Sequence, residues 1–196
     1  MPRNYGGFSL VELVVSMAII TIAYVTMFGA GSKFGQARSK TACAANLVQM
    51  YMALSLYGAE HNDAYPVQAG ATSSEAPLSE LVPHYTTDTS IFICPGSRIS
   101  ALPSAQPFAD RRIGYAYYMG LTRISSPDVA LVSDAQTDVH PKRKGETLFS
   151  TAGSGSNHRG YGGNVLFVDG HVETGDALAW RDLPIPTGAV LLNPKP

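Results

Sequence analysis

The chain is poor in charge. Asp, Glu, Lys and Arg make up 15% of its 196 residues and the formal net charge is −1, where soluble domains carry roughly 25% charged residues. With no positive excess and no basic patch, nucleic acid is excluded as a partner class. Cysteine is equally scarce: Cys43 and Cys94 are the only two. They stand too far apart for a Cys-x-x-Cys redox motif. The signatures of common enzyme chemistry are missing as well. No Gly-x-Ser-x-Gly elbow surrounds Ser133, Ser154 or Ser156. Gly160 and Gly162 lack the third glycine of a dinucleotide fingerprint and follow a loop-like stretch, not a strand. No internal repeat is visible. These absences argue against an enzyme.

What the chain does have is one long apolar run, residues 8–30, with Glu12 its only charge and no proline inside it. As a helix it would reach roughly 34 Å at 1.5 Å per residue, enough for a hydrocarbon core of about 30 Å. It is too long for the apolar core of a secretory signal peptide, and Gly29-Ala30-Gly31 is a weak cleavage site. A plain membrane anchor leaves the carboxylate unexplained. Insertion scales put the cost of a mid-span Asp or Lys at about 2.5–3.5 kcal/mol, less near the interface. An ionisable side chain in such a segment is a functional residue by default. Around the run, Arg3 lies on the N-terminal side and Lys33, Arg38 and Lys40 on the other. That count alone would put the C-terminal part in the cytoplasm.

The junction Gly7-Phe8-Ser9-Leu10-Val11-Glu12-Leu13 resembles the leader junction of type IV prepilins, shared by type IV pilins and the pseudopilins of type II secretion. The resemblance implies that residues 1–7 are a leader, cut after Gly7 by a prepilin peptidase on the cytoplasmic side. It implies N-methylation of Phe8, and pairing of Glu12 with the N-terminal amine of a neighbouring subunit during assembly. Residues 8–30 would then be the transmembrane and assembly helix. The head would lie on the periplasmic side of the inner membrane, against the bare charge count. The implied partners are the peptidase and other pilin-like subunits.

Beyond the run, Leu47, Met50, Tyr51, Leu54 and Tyr57 repeat at helical spacing and form an apolar stripe suited to covering a sheet. Residues 31–65 therefore read as an amphipathic continuation of one long helix. Gly58 weakens it, His61-Asn62-Asp63 forms its exit and Pro66 ends it. Residues 66–196 form the head. Residues 67–80 read as loop, 78–85 as about one helical turn, and 102–110 as a proline-containing loop. Strands are expected at 90–94, 113–119 and 129–133. Residues 135–160 are polar, with Lys142-Arg143-Lys144 as a solvated tip. The strongest local signal is Asn164-Val165-Leu166-Phe167-Val168-Asp169-Gly170-His171-Val172-Glu173. It predicts a hairpin with a type I′ Asp169-Gly170 turn. Its first strand is apolar on both faces and so interior. A short helix at 176–180 and a last strand at 189–192 complete the prediction. The fold class is α+β: a pilin-like layout with an antiparallel sheet packed on the C-terminal half of the long helix.

In an exported chain a cysteine pair oxidises, whereas cytosolic thiols stay reduced. A Cys43–Cys94 bridge tying helix to head is the prediction, and two unrelated buried thiols are the alternative. Cys43-Ala44-Ala45-Asn46-Leu47, Tyr65-Pro66, Phe92-Ile93-Cys94-Pro95 and the hairpin block together resemble a pseudopilin-like family. That family is described by a prepilin-type N-terminus and a C-terminal pattern of His, nine residues, Asp-Gly. Here ten residues separate His158 from Asp169-Gly170. Membership implies assembly and secretion, not a reaction. His158, Asp169 and His171 are weak metal candidates, with Asp134, Asp138 and His140 elsewhere. Asp169 is favoured at a tight turn for backbone reasons alone. Calcium would be the ion to look for in an exported pilin-like head, yet no calcium loop is recognisable, and no cofactor is expected. The expected function is a structural filament subunit. The alternative is a non-polymerising, membrane-anchored periplasmic module that binds a ligand through the 135–160 loop.

Overall fold

The computed structural model describes residues 9–29, 31–97, 99, 107–150 and 157–196. The leader, with Gly7 and Phe8, lies outside these residues, as does most of the 102–110 loop. The chain divides into two compact units, 1–37 and 38–196.

In the first unit, helix α1 spans Leu10–Gly29. Its start is a capping box of Ser9 and Glu12. The Ser9 N–H donates to Glu12 Oε2 (3.0 Å), and Leu13 N–H donates to the Ser9 carbonyl (3.2 Å). The helix is apolar on all sides, and its large side chains are exposed, from Leu10 through Val25. Among the described residues no helix is long and apolar enough to cross a membrane. The described side chains of α1 end at Thr26.

The second unit begins within helix α2, Gly31–Glu60. From Arg38 onward its predicted stripe faces inward: Leu47, Met50 and Leu54 are buried, with Tyr51 and Tyr57 partly so, and Cys43 is buried on the same side. Each fully buried Leu or Met contributes about 1.5–3 kcal/mol. The helix ends earlier than the 65 expected, because Asn62 and Asp63 take positive φ (52° and 63°). Both residue types tolerate the left-handed region, so the chain turns before Pro66 is needed.

Five antiparallel strands follow: β1 Tyr115–Met119, β2 Ala130–Asp134, β3 Gly163–Phe167, β4 Val172–Gly175 and β5 Val190–Leu192. Their order is β4-β3-β2-β1-β5. The central strands β2 and β3 are buried along their whole length, as the apolar-both-faces pattern of β3 predicts. Asn46 Nδ2 reaches Tyr115 Oη (3.4 Å) and Asn164 Nδ2 donates to the Lys40 carbonyl (3.1 Å). These bonds seat α2 on the face of the sheet carrying Tyr115 and Asn164. The opposite face carries Tyr118, whose hydroxyl accepts from Gln136 Nε2 (2.8 Å). This is the α+β, pilin-like layout expected.

Several local predictions are corrected. Residues 90–94 do not form a strand. Thr89–Phe92 is a 3₁₀ turn capped by Asp88, whose carboxylate accepts from Ser90 N–H (2.9 Å). The short cap outweighs the β propensity of Ile91 and Phe92. A helical piece, α3 at Glu75–Leu78, begins inside the stretch read as loop and continues as a 3₁₀ turn over Ser79–Leu81. Residues 176–180 are not helical; Leu178 instead bridges to Thr147. Lys142 is not part of a solvated tip: it is buried, bonds Asp138 (2.5 Å) and pairs its backbone with Leu183. Arg143 and Lys144 are exposed as expected.

The β3–β4 hairpin is present, but its turn is not type I′. Gly170 alone takes positive φ (90°), and its N–H donates to the Phe167 carbonyl (3.0 Å). This is the longer hairpin connection that closes on a left-handed glycine. Asp169 serves as turn chemistry, accepting the His171 N–H at 3.0 Å.

Candidate functional site

The seam between α2 and the sheet holds a cluster of buried polar groups. Cys43, on the inward stripe of α2, is bonded to Cys94, which follows the 3₁₀ turn of Thr89–Phe92. The predicted bridge is therefore present, and no cysteine is free. Asp134 ends β2 and pairs in register with Tyr115 of β1. Asn164 pairs with Thr174 of β4, whose hydroxyl donates to Asn164 Oδ1 (2.7 Å). A polar row thus crosses the sheet beneath the helix.

Asp134 is fully buried and is the acceptor at the centre. Its Oδ2 takes the Asn164 backbone N–H (2.7 Å) and side-chain amide (3.0 Å), while Asn157 Nδ2 donates to Oδ1. His158 places Nε2 at 3.5 Å from Asp134 Oδ2 and 3.3 Å from Cys94 Sγ. The packing here is tight. A Cβ on Gly96 would fall 2.4 Å from His158 Nδ1, so only glycine fits opposite the imidazole. Gly162 precedes β3 with φ +80°, and a Cβ there would meet the Gly175 carbonyl at 2.0 Å.

The cluster shifts its neighbours' proton affinities. Burial, reinforced by the Asp134 charge, pushes the Tyr115 hydroxyl well above its ordinary range. Burial lowers Lys40, against the opposing pull of Asp134 and Asp176. The Lys40 ammonium donates to the carbonyls of Tyr161 (2.9 Å) and Gly175 (2.5 Å). It thereby closes the end of the seam next to the 3₁₀ turn Arg159–Tyr161.

The weak metal candidates His158, Asp169 and His171 are not brought together. His158 lies in the buried cluster with Asp134. Among the described residues, Asp169 and His171 belong to no group of three ligands able to hold a metal. They form their own exposed pair, His171 Nδ1 to Asp169 Oδ1 at 2.5 Å. Slight desolvation raises the Asp169 carboxyl, but the His171 N–H and ring outweigh it and hold the group below its usual range. The His171 ring stacks on Phe167 (4.4 Å), and Arg181 covers the same ring at 4.1 Å. Asp138 and His140 make a local turn contact (2.8 Å), separate from Asp134.

Asn157, Asn164 and Lys40 escaped the sequence reading. Asn164 alone left a trace, as a polar residue at the head of an apolar strand. The Ser9-x-x-Glu12 capping box was also legible as a pattern.

Residues 2–23 match the family described as the prokaryotic N-terminal methylation motif. This is consistent with a type IV prepilin-like protein and with a substrate of prepilin peptidase. The match ends at residue 23, so it says nothing of the C-terminal His and Asp-Gly pattern. No curated protein and no solved structure matches the chain.

Proposed function

We propose that this chain is a structural, pilin-like subunit without catalytic activity. It is cut after Gly7, methylated on Phe8 and assembled through α1 into a pseudopilus or type IV pilus-like filament that serves protein secretion. The observation that carries this reading is the methylation motif over residues 2–23. Two features support it. The apolar side chains of α1 are exposed, and a helix that is apolar on all sides needs lipid or neighbouring helices to cover it. The disulfide fits an oxidising compartment, with the head periplasmic and the N-terminus cytoplasmic.

Intact mass spectrometry of the membrane-extracted protein tests processing. The expected mass is that of a chain beginning at Phe8 with one added methyl group; a chain that keeps Met1 rejects the proposal.

Glu12 has a defined role in this reading. In the single chain its carboxylate caps its own helix through Ser9 N–H. Cleavage creates a cationic amine at Phe8, which would meet the carboxylate with both partners ionised, whereas in the capping bond only the acceptor is charged. An amine from a neighbouring subunit thus competes well for the same oxygens. Glu12→Leu is expected to leave cleavage intact and to reduce cross-linking between subunits in the membrane at least tenfold. Equal cross-linking in the variant would remove the assembly role.

A further inference from the structure

Cys43 Sγ, Cys94 Sγ, a carboxylate oxygen of Asp134 and a ring nitrogen of His158 all lie within 4.8 Å of one another, and all four residues are buried. They come from four separate stretches: α2, the segment after the Thr89–Phe92 turn, the end of β2 and the approach to β3. We propose that the reduced chain binds one thiophilic divalent cation, of the Zn2+ class, at these four groups. The disulfide and the metal are then alternative ways of closing the same seam.

The spacing supports a tetrahedral site. Zinc bonds of 2.3 Å to sulfur and 2.0–2.2 Å to nitrogen and oxygen give edges of about 3.4–3.6 Å, and about 3.8 Å between the two sulfurs, which move apart once their bond is broken. The contact of Cys94 Sγ with His158 Nε2, at 3.3 Å, falls close to the sulfur–nitrogen edge. Two sulfurs, one imidazole and one carboxylate favour zinc over calcium or magnesium, which take oxygen ligands.

His158 is buried beside the bridge. Its Nε2 faces both a sulfur and a carboxylate, although one N–H serves only one acceptor well. A single cation bound to Nε2 would contact both neighbours at once. Asp134 retains capacity for it on Oδ1: Oδ2 already accepts both Asn164 donors, and Asn157 takes one of the two Oδ1 sites.

The chemistry balances. A dithiol reductant delivers two electrons and two protons to the Cys43–Cys94 bond and becomes a disulfide itself. The S–S bond breaks and two thiols form. Binding of the divalent cation then displaces both thiol protons to solvent. Neutral His158 ligates through Nε2, and the Asp134 carboxylate completes the set. Because the seam is buried, the reductant acts on the unfolded chain, before the head closes.

The test uses the full-length chain in detergent micelles, unfolded, reduced with a dithiol, freed of reductant without air and refolded with Co2+ as the probe. One Co2+ per chain is expected, with thiolate-to-cobalt charge-transfer absorption and the visible bands of a tetrahedral site, all displaced by Zn2+. The oxidised chain should show neither. His158→Gln, with its fold checked by circular dichroism of the oxidised form, should weaken Co2+ binding at least tenfold. Absence of the charge-transfer band, or equal affinity in His158→Gln, overturns the proposal. Nondenaturing mass spectrometry of the reduced wild-type chain refolded with Zn2+ decides without any variant. A mass increase of one zinc less two protons supports the site, and a metal-free chain rejects it.

Discussion

Asp134→Ala should lower the unfolding free energy of the head by about 2–4 kcal/mol, since hydrogen bonds to a charged acceptor contribute about 1.5–3 kcal/mol each and relief of a buried charge offsets part of their loss. Three donors converge on this carboxylate: Asn157 Nδ2, Asn164 N and Asn164 Nδ2. Without it the Asn164 backbone N–H stays buried and unpaired, losing about 1–3 kcal/mol of solvation, while the two amides each lose one bond and keep another, Asn157 to the Gly114 carbonyl and Asn164 to the Lys40 carbonyl. The Asn164 backbone N–H has no freedom to turn away, because β3 pairs with both β2 and β4. Asp134→Asn should cost less, since it keeps one carbonyl acceptor while turning an NH2 toward the other donors. Urea unfolding of the full-length chain checks this, read as a shift in midpoint at constant slope. Asp128→Ala is the control, because Asp128 is exposed and its pair with Arg181 is long (3.8 Å), and such pairs contribute about 0–1 kcal/mol. If Asp134→Ala shifts the midpoint no more than this control, the seam does not depend on the carboxylate.

Replacing both cysteines by alanine should cost about 4 kcal/mol in the chain-entropy account, because the bridge spans a sequence separation of 51. The bridge joins the inward face of α2 to the segment that leads into β1, two parts otherwise far apart in the chain. Its removal should therefore separate helix from sheet in the denatured ensemble more than it alters the native contacts. Urea unfolding without reductant measures the loss. A loss below about 1 kcal/mol would show that the seam holds α2 without the bridge. The double cysteine variant and Asp134→Ala should not add, because His158 touches both Cys94 and Asp134 and residues in one network couple by about 0.5–3 kcal/mol. Against a total stability of about 5–15 kcal/mol, either change alone removes a large share.

The repeating patterns were readable in advance. The stripe of Leu47, Met50 and Leu54 announced the buried face of α2, since helical spacing puts these residues on one side. The apolar run of β3 announced an interior strand. The turn at Gly170 was correctly located, but its type was not. The Asp-Gly pair permits several turns, and pairing with β2, through the Val168 N–H on the Val129 carbonyl, selects the longer one. Residues 90–94 misled because β propensity depends on having a strand to pair with, and Asp88 capped the segment as a turn instead. Lys142 misled because a charge run reads as solvated unless a remote segment, here around Leu183, is known to cover it.

The sequence by itself determined the character of the two ends of the long helical region. A carboxylate at the start of an apolar run, just after a glycine, is a local pattern, and so is an amphipathic stripe. Both need only near neighbours in the chain. The disulfide was readable as a pairing because only two cysteines exist. Only the tertiary structure decided that Asp134, His158, Asn157 and Asn164 gather around that bridge, and that His158 is separated from Asp169 and His171. Sheet register and the seating of α2 set those distances, and they join residues from distant parts of the chain. A buried polar residue has no periodic signature, because its partners are fixed by strand pairing and not by spacing along the sequence.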